Sequence, residues 1–266
     1  MKHFERINEH ICRLTTPYKD IFTTVYTVEA PTGTIVFDAA SYAADAHEHI
    51  LPMLAEAGTA PERVKFIFIS HRHADHAGGL EALSNLCPGA CIVSRSPELK
   101  ETYRLTRPFY APQDGDRFFD WFQVIAIPGH TADSMALLDR RTNTLITGDC
   151  LQQYGLFGSQ DWASNIILPA EHLAALDKVR ALKVDQLLMA HDYHTCSWRA
   201  QGREQVDRVL DDCVAPLQQM KELILGHPEW DDEQVRQAYN TSGTIPTVRV
   251  QVIAAMRRAL EAGTVR

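Results

Sequence analysis

The segment His71-Arg72-His73-Ala74-Asp75-His76 packs three imidazoles and a carboxylate into six residues. Imidazole nitrogen and carboxylate oxygen are donors that suit zinc, iron or manganese. The short apolar run Val64–Ile69 directly before it reads as a buried strand. The donors therefore leave a strand at its carboxyl end, where α/β folds place ligand sites. A solvated polar loop accounts poorly for so many ligand-type residues in one place. Gly78 and Gly79 follow and let the backbone turn tightly into a predicted helix.

Three further candidates each follow a predicted strand: His130 in Pro128-Gly129-His130-Thr131, Asp149 in Thr147-Gly148-Asp149-Cys150, and His191 in Met189-Ala190-His191-Asp192. Taken singly, such a histidine is more often a structural residue, and an Asp after Gly is usually a turn former. Together they are candidates because all of them recur at the same topological place. Asp38, at the end of the run Thr34–Phe37, has two readings. It either accepts the free N–H of a metal-bound imidazole or caps the turn into Ala39–Ala44. Cys150 beside Asp149 reads as a buried packing thiol, and Cys87 with Cys91 make only half of a zinc knuckle.

The elements that must position these residues alternate. Ile21–Val28 and Thr34–Phe37 are β-branched or aromatic runs separated by Pro31-Thr32-Gly33, a hairpin signal. Ala43–Ala57 is predicted helical and Val64–Ile69 extended, followed by Gly78–Leu86 as helix, Ala90–Val93 as strand and Pro97–Tyr103 as a short helix. Phe122–Ile127, Met135–Leu138 and Thr144–Thr147 read as strands, Leu168–Leu182 as helix and Asp185–Met189 as the last strand. From about Ser197 the pattern is helical only, with a stripe of Val206, Leu210, Val214 and Leu217. Two further helices, near Asp232–Tyr239 and Pro246–Ala262, flank the breaker Asn240-Thr241-Ser242-Gly243. The class is α/β, with a catalytic domain at 1–196 and a C-terminal helical extension at 197–266.

Composition narrows the function classes. The 266 residues are 45% hydrophobic and carry 26 Lys+Arg against 34 Asp+Glu, a formal net charge of −8. No dense basic run offers a landing site for nucleic acid. No apolar run nears the roughly 18 residues that span a bilayer, and the first residues lack a signal-peptide core. The six cysteines are scattered, as in a reduced, cytoplasmic protein. A small-molecule substrate is the expected partner, and the apolar C-terminal helices offer a homodimer contact.

At this point the sequence resembles the metallo-β-lactamase superfamily over about residues 10–195, through Asp38, the His-x-His-x-Asp-His signature, and the Gly-His, Gly-Asp and final His elements in order. The resemblance implies a four-layer αβ/βα sandwich and two divalent metal ions, zinc first, with iron or manganese as alternatives. It would place one ion on His71, His73 and His130, a second on Asp75, His76 and His191, and Asp149 between them. Two such ions share a water whose pKa falls to near neutrality. The implied reaction is hydrolysis of an ester, thioester, lactone or related bond, with Asp75 as the catalytic residue that orients the nucleophile and passes its proton to the leaving group. Asp38 is implied in orienting a ligand histidine. One departure is Ala190, where the family usually has Gly before the last histidine, with a second histidine, His194, three residues on.

Substrate is expected under two long loops, 104–116 and 151–169, the second carrying Tyr154, Phe157 and Trp162, with His194 as a further contact. Arg104 and Arg107 are the basic residues available to an anionic substrate. Three branches compete. Length and a helical tail resemble glyoxalase II, without its basic glutathione-binding pattern. Pro128-Gly129-His130-Thr131, Ser134–Leu138 and Gly148-Asp149-Cys150 resemble the endoribonuclease-like β-lactamase-like proteins. Ala190–His194 and His73–His76 resemble the persulfide dioxygenases, which would hold one iron on His71, His130 and Asp149.

Overall fold

The structure is a computed structural model that describes residues 4–151, 165–192, 196–243 and 247–265. Its contacts divide into two compact units, residues 1–125 with 137–140 and residues 126–136 with 141–266.

The first unit is built on a seven-stranded sheet in chain order. Its strands are β1 (Phe4–Arg6), β2 (Ile11–Tyr18), β3 (Ile21–Ala30), β4 (Gly33–Phe37), β5 (Val64–Phe68), β6 (Cys91–Val93) and β7 (Phe109–Tyr110). β1 to β4 form an antiparallel meander, and the β3–β4 turn at Pro31-Thr32 closes with Ala30 opposite Gly33, as the hairpin signal predicts. β4 to β7 are parallel, so each connection must cross over a face of the sheet. Between β4 and β5 this is done by α1 (Ala43–Asp45), a π-helical turn (Ala46–Ile50), α2 (Leu51–Ala57) and a 3-10 turn (Pro61–Arg63). Short helices α3 (Ala74–Ala77) and α4 (Leu80–Leu86) follow β5, and α5 (Leu99–Thr102) follows β6. Their apolar sides bury Ile50, Leu54, Leu80 and Leu83 against Val36, Ile67 and Ile92 of the sheet. Three strands of this sheet escaped the pattern. β2 carries Arg13, Thr15, Thr16 and Pro17 within its run, and β1 and β7 are too short to show alternation.

The second sheet is six-stranded in the order β13-β12-β11-β10-β9-β8. Its strands are β8 (Arg117–Phe118), β9 (Phe122–Ala126), β10 (Met135–Asp139), β11 (Thr144–Gly148), β12 (Gln186–Met189) and β13 (Arg199–Gln201). β11 and β12 pair in parallel, with α6 (Pro169–Leu182) in the crossover. The expectation of helix alone beyond Ser197 needs correcting, because β13 pairs antiparallel with β12, Ala200 opposite Leu187. Its three residues leave no periodic signal. α7 (Arg203–Gly226), α8 (Asp232–Thr241) and α9 (Val250–Glu261) then bury Leu217, Met220, Val235, Tyr239, Ile253 and Met256 around Ile166. α8 runs through Asn240 and Thr241 and stops at Ser242, one residue before Gly243 at φ 77°. Among the described residues no helix is long and apolar enough to cross a membrane.

Candidate metal centre

In the first unit the parallel β4–β5 register decides which residues meet. Phe37 is opposite Phe68, so Asp38 and the Ile69-Ser70-His71 segment leave adjacent strand ends, tied by the Asp38 N–H donating to the Phe68 carbonyl at 2.7 Å. Asp38 takes up a left-handed backbone, φ 66°, and is 1% exposed. Its Oδ1 accepts the Ser70 backbone N–H at 2.7 Å, and its Oδ2 accepts the Ser70 hydroxyl at 2.9 Å and His76 Nδ1 at 2.8 Å. Because the Ser70 hydroxyl gives its proton to Asp38, its oxygen is free to accept from His71 Nδ1, 3.0 Å away. One carboxylate thus holds Nδ1–H on both His71 and His76 and turns both Nε2 lone pairs outward. Burial pushes the Asp38 carboxyl up from its ordinary range, against the pull of His76 and Ser70.

The ring nitrogens left over converge. His71 Nε2 and His73 Nδ1 face each other at 3.0 Å, the His71 and His76 ring centroids are 4.3 Å apart, and Asp75 Oδ2 lies 3.4 Å from His76 Nε2. His71 and His76 are fully buried, and Asp75 keeps 14% of its side chain exposed. Gly78 is required by close approach, since a Cβ there would sit 1.8 Å from the Ser41 carbonyl oxygen. That approach seats the Ala39–Ser41 turn against α3, where the Ala39 N–H donates to the His76 carbonyl at 2.7 Å. Arg72, within the signature, pairs instead with Glu98 at 3.2 Å on the exposed surface.

In the second unit the same device recurs. β11 and β12 are parallel with Gly148 opposite Met189, so Asp149 and His191 emerge side by side, and the Ala190 N–H donates to the Gly148 carbonyl at 3.3 Å. His191 Nε2 is 3.1 Å from Asp149 Oδ1, and His130 Nε2 is 3.7 Å from Asp149 Oδ2. All three are 4% exposed or less. His130 stands in the turn between β9 and β10, closed by the Ile127 N–H on the Ser134 carbonyl at 3.0 Å and by the Thr131 and Ser134 hydroxyls at 2.7 Å. Ala190 needs no glycine conformation, because its φ is not positive, and its methyl is buried.

The structure therefore brings His71, His73, Asp75, His76 and Asp38 together in one unit, and His130, Asp149 and His191 together in the other. As donor sets they fit divalent ions: imidazoles and carboxylates brought to contact distance, His71 Nε2 with His73 Nδ1 at 3.0 Å in the first and His191 Nε2 with Asp149 Oδ1 at 3.1 Å in the second. Tyr154, Phe157, Trp162 and His194 lie outside the described residues. Arg107 donates to the Ser84 and Pro88 carbonyls at 3.1 Å each. Two contributors escaped the sequence reading. Ser70 left no signal beyond standing before the signature. His172, fully buried on α6 against Gly129, looked like any helix residue.

The sheets, their crossover helices and the two His/Asp clusters define an α/β fold that carries metal-binding donor sets. The model of the metallo-beta-lactamase superfamily matches residues 18–204, and the chain belongs to that superfamily. It is similar to a hydroxyacylglutathione hydrolase of Marinomonas sp. (strain MWYL1), 33% identical over 141 residues, covering 50% of this chain and 49% of the relative. The chain spans about half the length of the hydroxyacylglutathione hydrolases it matches. Among solved structures it shares its fold with a metallo-beta-lactamase family protein from Thermus thermophilus, TM-score 0.65 at 18% identity, covering 97% of this chain and 95% of that one. It shares it also with rubredoxin oxygen:oxidoreductase from Desulfovibrio gigas, TM-score 0.65 at 15% identity, covering 95% and 75%. The expected α/β class of this superfamily stands.

Proposed function

We propose that this chain is a metal-dependent hydrolase of small-molecule thioesters, esters or lactones. In this reading His71, His73 and His130 hold one divalent ion, Asp75, His76 and His191 hold a second, and Asp149 bridges both, with zinc as the metal. The observation that carries it is the Asp149 carboxylate, which directs one oxygen toward His191 and the other toward His130. Divided in this way, the two oxygens could each serve a different ion. When bound, such ions supply a water acidified to near neutrality and a Lewis acid for the substrate's carbonyl oxygen. The chain supplies the rest. Asp38, directly at His76 and through Ser70 at His71, keeps the proton of each ring on Nδ1 and off Nε2. Asp75, the most exposed member of its buried cluster apart from His73, would orient the attacking water and return a proton to the leaving group.

The hydroxyacylglutathione hydrolase relative supports a thioester as the first substrate class to try. The six cysteines form no disulfide, which supports a reducing, cytoplasmic setting. The test is to purify the chain, load it with zinc, count metals by elemental analysis and assay thioesters, lactones, esters and phosphodiesters. About two zinc ions per chain with thioester or lactone turnover is expected, and Asp75→Ala should remove most of it. One iron per chain with oxygen uptake, or full turnover by Asp75→Ala with both metals retained, would overturn the proposal.

A further inference from the structure

His130 differs from the other histidines in what holds it. Its Nδ1 lies 2.7 Å from the backbone carbonyl oxygen of Asn165, at the entrance to α6. A carbonyl can only accept, so Nδ1 carries the proton, and in the neutral ring Nε2, on the Asp149 side, carries none. That entrance is in turn fastened to the residue before His130, because the Ile167 and Leu168 N–H groups both donate to the Gly129 carbonyl at 3.0 Å. The fastening allows no side chain at 129. Gly129 has φ 151°, and a Cβ there would meet His172 Cβ and Nδ1 at 2.5 Å. His172, on the first turn of α6, is 0% exposed and presses directly on the Gly129 backbone.

Neither ring nitrogen of His172 has a hydrogen-bond partner among the described residues. A buried imidazole without partners is costly and ordinarily avoided. Its contact with Gly129 is therefore made by shape, and no hydrogen bond of its own explains its place. We infer that His172 is a positioning residue. By filling the space behind Gly129 it holds the Gly129–His130 turn against the Asn165 carbonyl, and so fixes the tautomer and aim of His130. This rests on the reading of His130 as a metal ligand, but its tautomer can be observed without any metal.

The experiment uses full-length protein labelled with 15N-histidine. Long-range 1H–15N spectra of the metal-free chain report the His130 tautomer, assigned with His130→Gln, and competition with a chromophoric chelator reports zinc affinity. Wild type should show His130 as the pure Nδ1–H form. His172→Ala, which empties the space, should mix the tautomers and weaken zinc binding by about 10–100-fold, the range found when a ligand's outer support is lost. His172→Leu, close in volume and without nitrogens, should restore the single tautomer and an affinity within about threefold of wild type. The inference is overturned if His172→Ala keeps both the Nδ1–H form and its zinc affinity, or if His172→Leu loses them as completely as alanine does. Should the alanine chain fail to fold, the leucine chain alone decides. If wild type binds no zinc while the tautomer responds as described, the metal reading fails and the positioning role stands.

Discussion

Asp38→Asn is the sharpest test of how the first cluster is held. Alanine is the wrong probe. It would strand three buried donors, the Ser70 N–H, the Ser70 hydroxyl and His76 Nδ1–H, at about 1–3 kcal/mol each. A loss of roughly 3–9 kcal/mol rivals the whole stability of a domain, about 5–15 kcal/mol, and would report folding rather than the site. Asparagine keeps the shape, and its orientation is forced. The Ser70 backbone N–H can only donate, so the amide oxygen must take the Oδ1 position and the NH2 group the Oδ2 position. That NH2 now donates to His76 Nδ1 and to the Ser70 hydroxyl oxygen, and the hydroxyl proton turns to His71 Nδ1. The relay runs backwards, and both histidines move their proton to Nε2, the nitrogen meant for metal. Each supposed ion thereby loses one ligand, for an expected 10–100-fold loss of affinity, or about 1.4–2.8 kcal/mol per site. Every donor still has an acceptor, so the melting temperature should fall by only a few degrees. Chelator competition gives the affinities, and 15N-histidine spectra give the tautomers. Wild-type affinity at both sites, with Nδ1–H retained on His71 and His76, would refute the relay.

Four other outcomes are expected. Gly78→Ala should destabilise the fold by at least about 1–3 kcal/mol in urea titration, because its methyl would fall 1.8 Å from the Ser41 carbonyl oxygen and backbone must move. Asp149→Asn should lower the zinc content from about two ions per chain to one or fewer by elemental analysis, since the amide leaves only one oxygen to share. Iodoacetamide at pH 8 should label Cys91 and Cys196 and spare Cys87, which is 0% exposed and whose thiol burial pushes up to about 12, as peptide mass spectrometry will show. Burial, and then the neighbouring His130, hold His172 down to about 3 from an ordinary value near 6.5, so the unfolded chain takes up that proton first. The stability this imidazole permits is therefore full above about pH 6.5 and lost as pH falls toward 3, about 2 kcal/mol of it by pH 5. Metal-free His172→Leu should lose less than wild type between pH 7.5 and 5 in urea titrations, and equal losses would count against the assignment.

The sequence was most legible where donors follow apolar strands. Val64–Ile69, Thr144–Thr147 and Asp185–Met189 show as apolar runs because both faces of a parallel strand are covered, and the candidate ligands stand at their ends. The hairpin at Pro31-Thr32 was equally plain, since a two-residue turn is a local event. What escaped depends on partners distant in sequence. β2 tolerates Thr16 and Pro17 because β3 pairs with it, and β13 exists only as the partner of β12. Within the clusters, residue types revealed the histidines and aspartates but not their protons. The Nδ1–H of His130 depends on a carbonyl 35 residues away, and that of His71 on a serine hydroxyl whose direction is set by Asp38. Backbone groups and hydroxyls carry no signature in a sequence, so such support is visible only once the chain is folded.

The parallel pairing of β11 with β12 has a consequence for how the second cluster is held. Asp149 and His191 are neighbours because two strands are in register, Gly148 opposite Met189, and not because of the polypeptide that links them. Within that link, the residues from Asn165 into α6 are themselves tied to the Gly129–His130 turn. Strand register therefore holds Asp149 beside His191 while the crossover holds His130, two supports that can be lost independently.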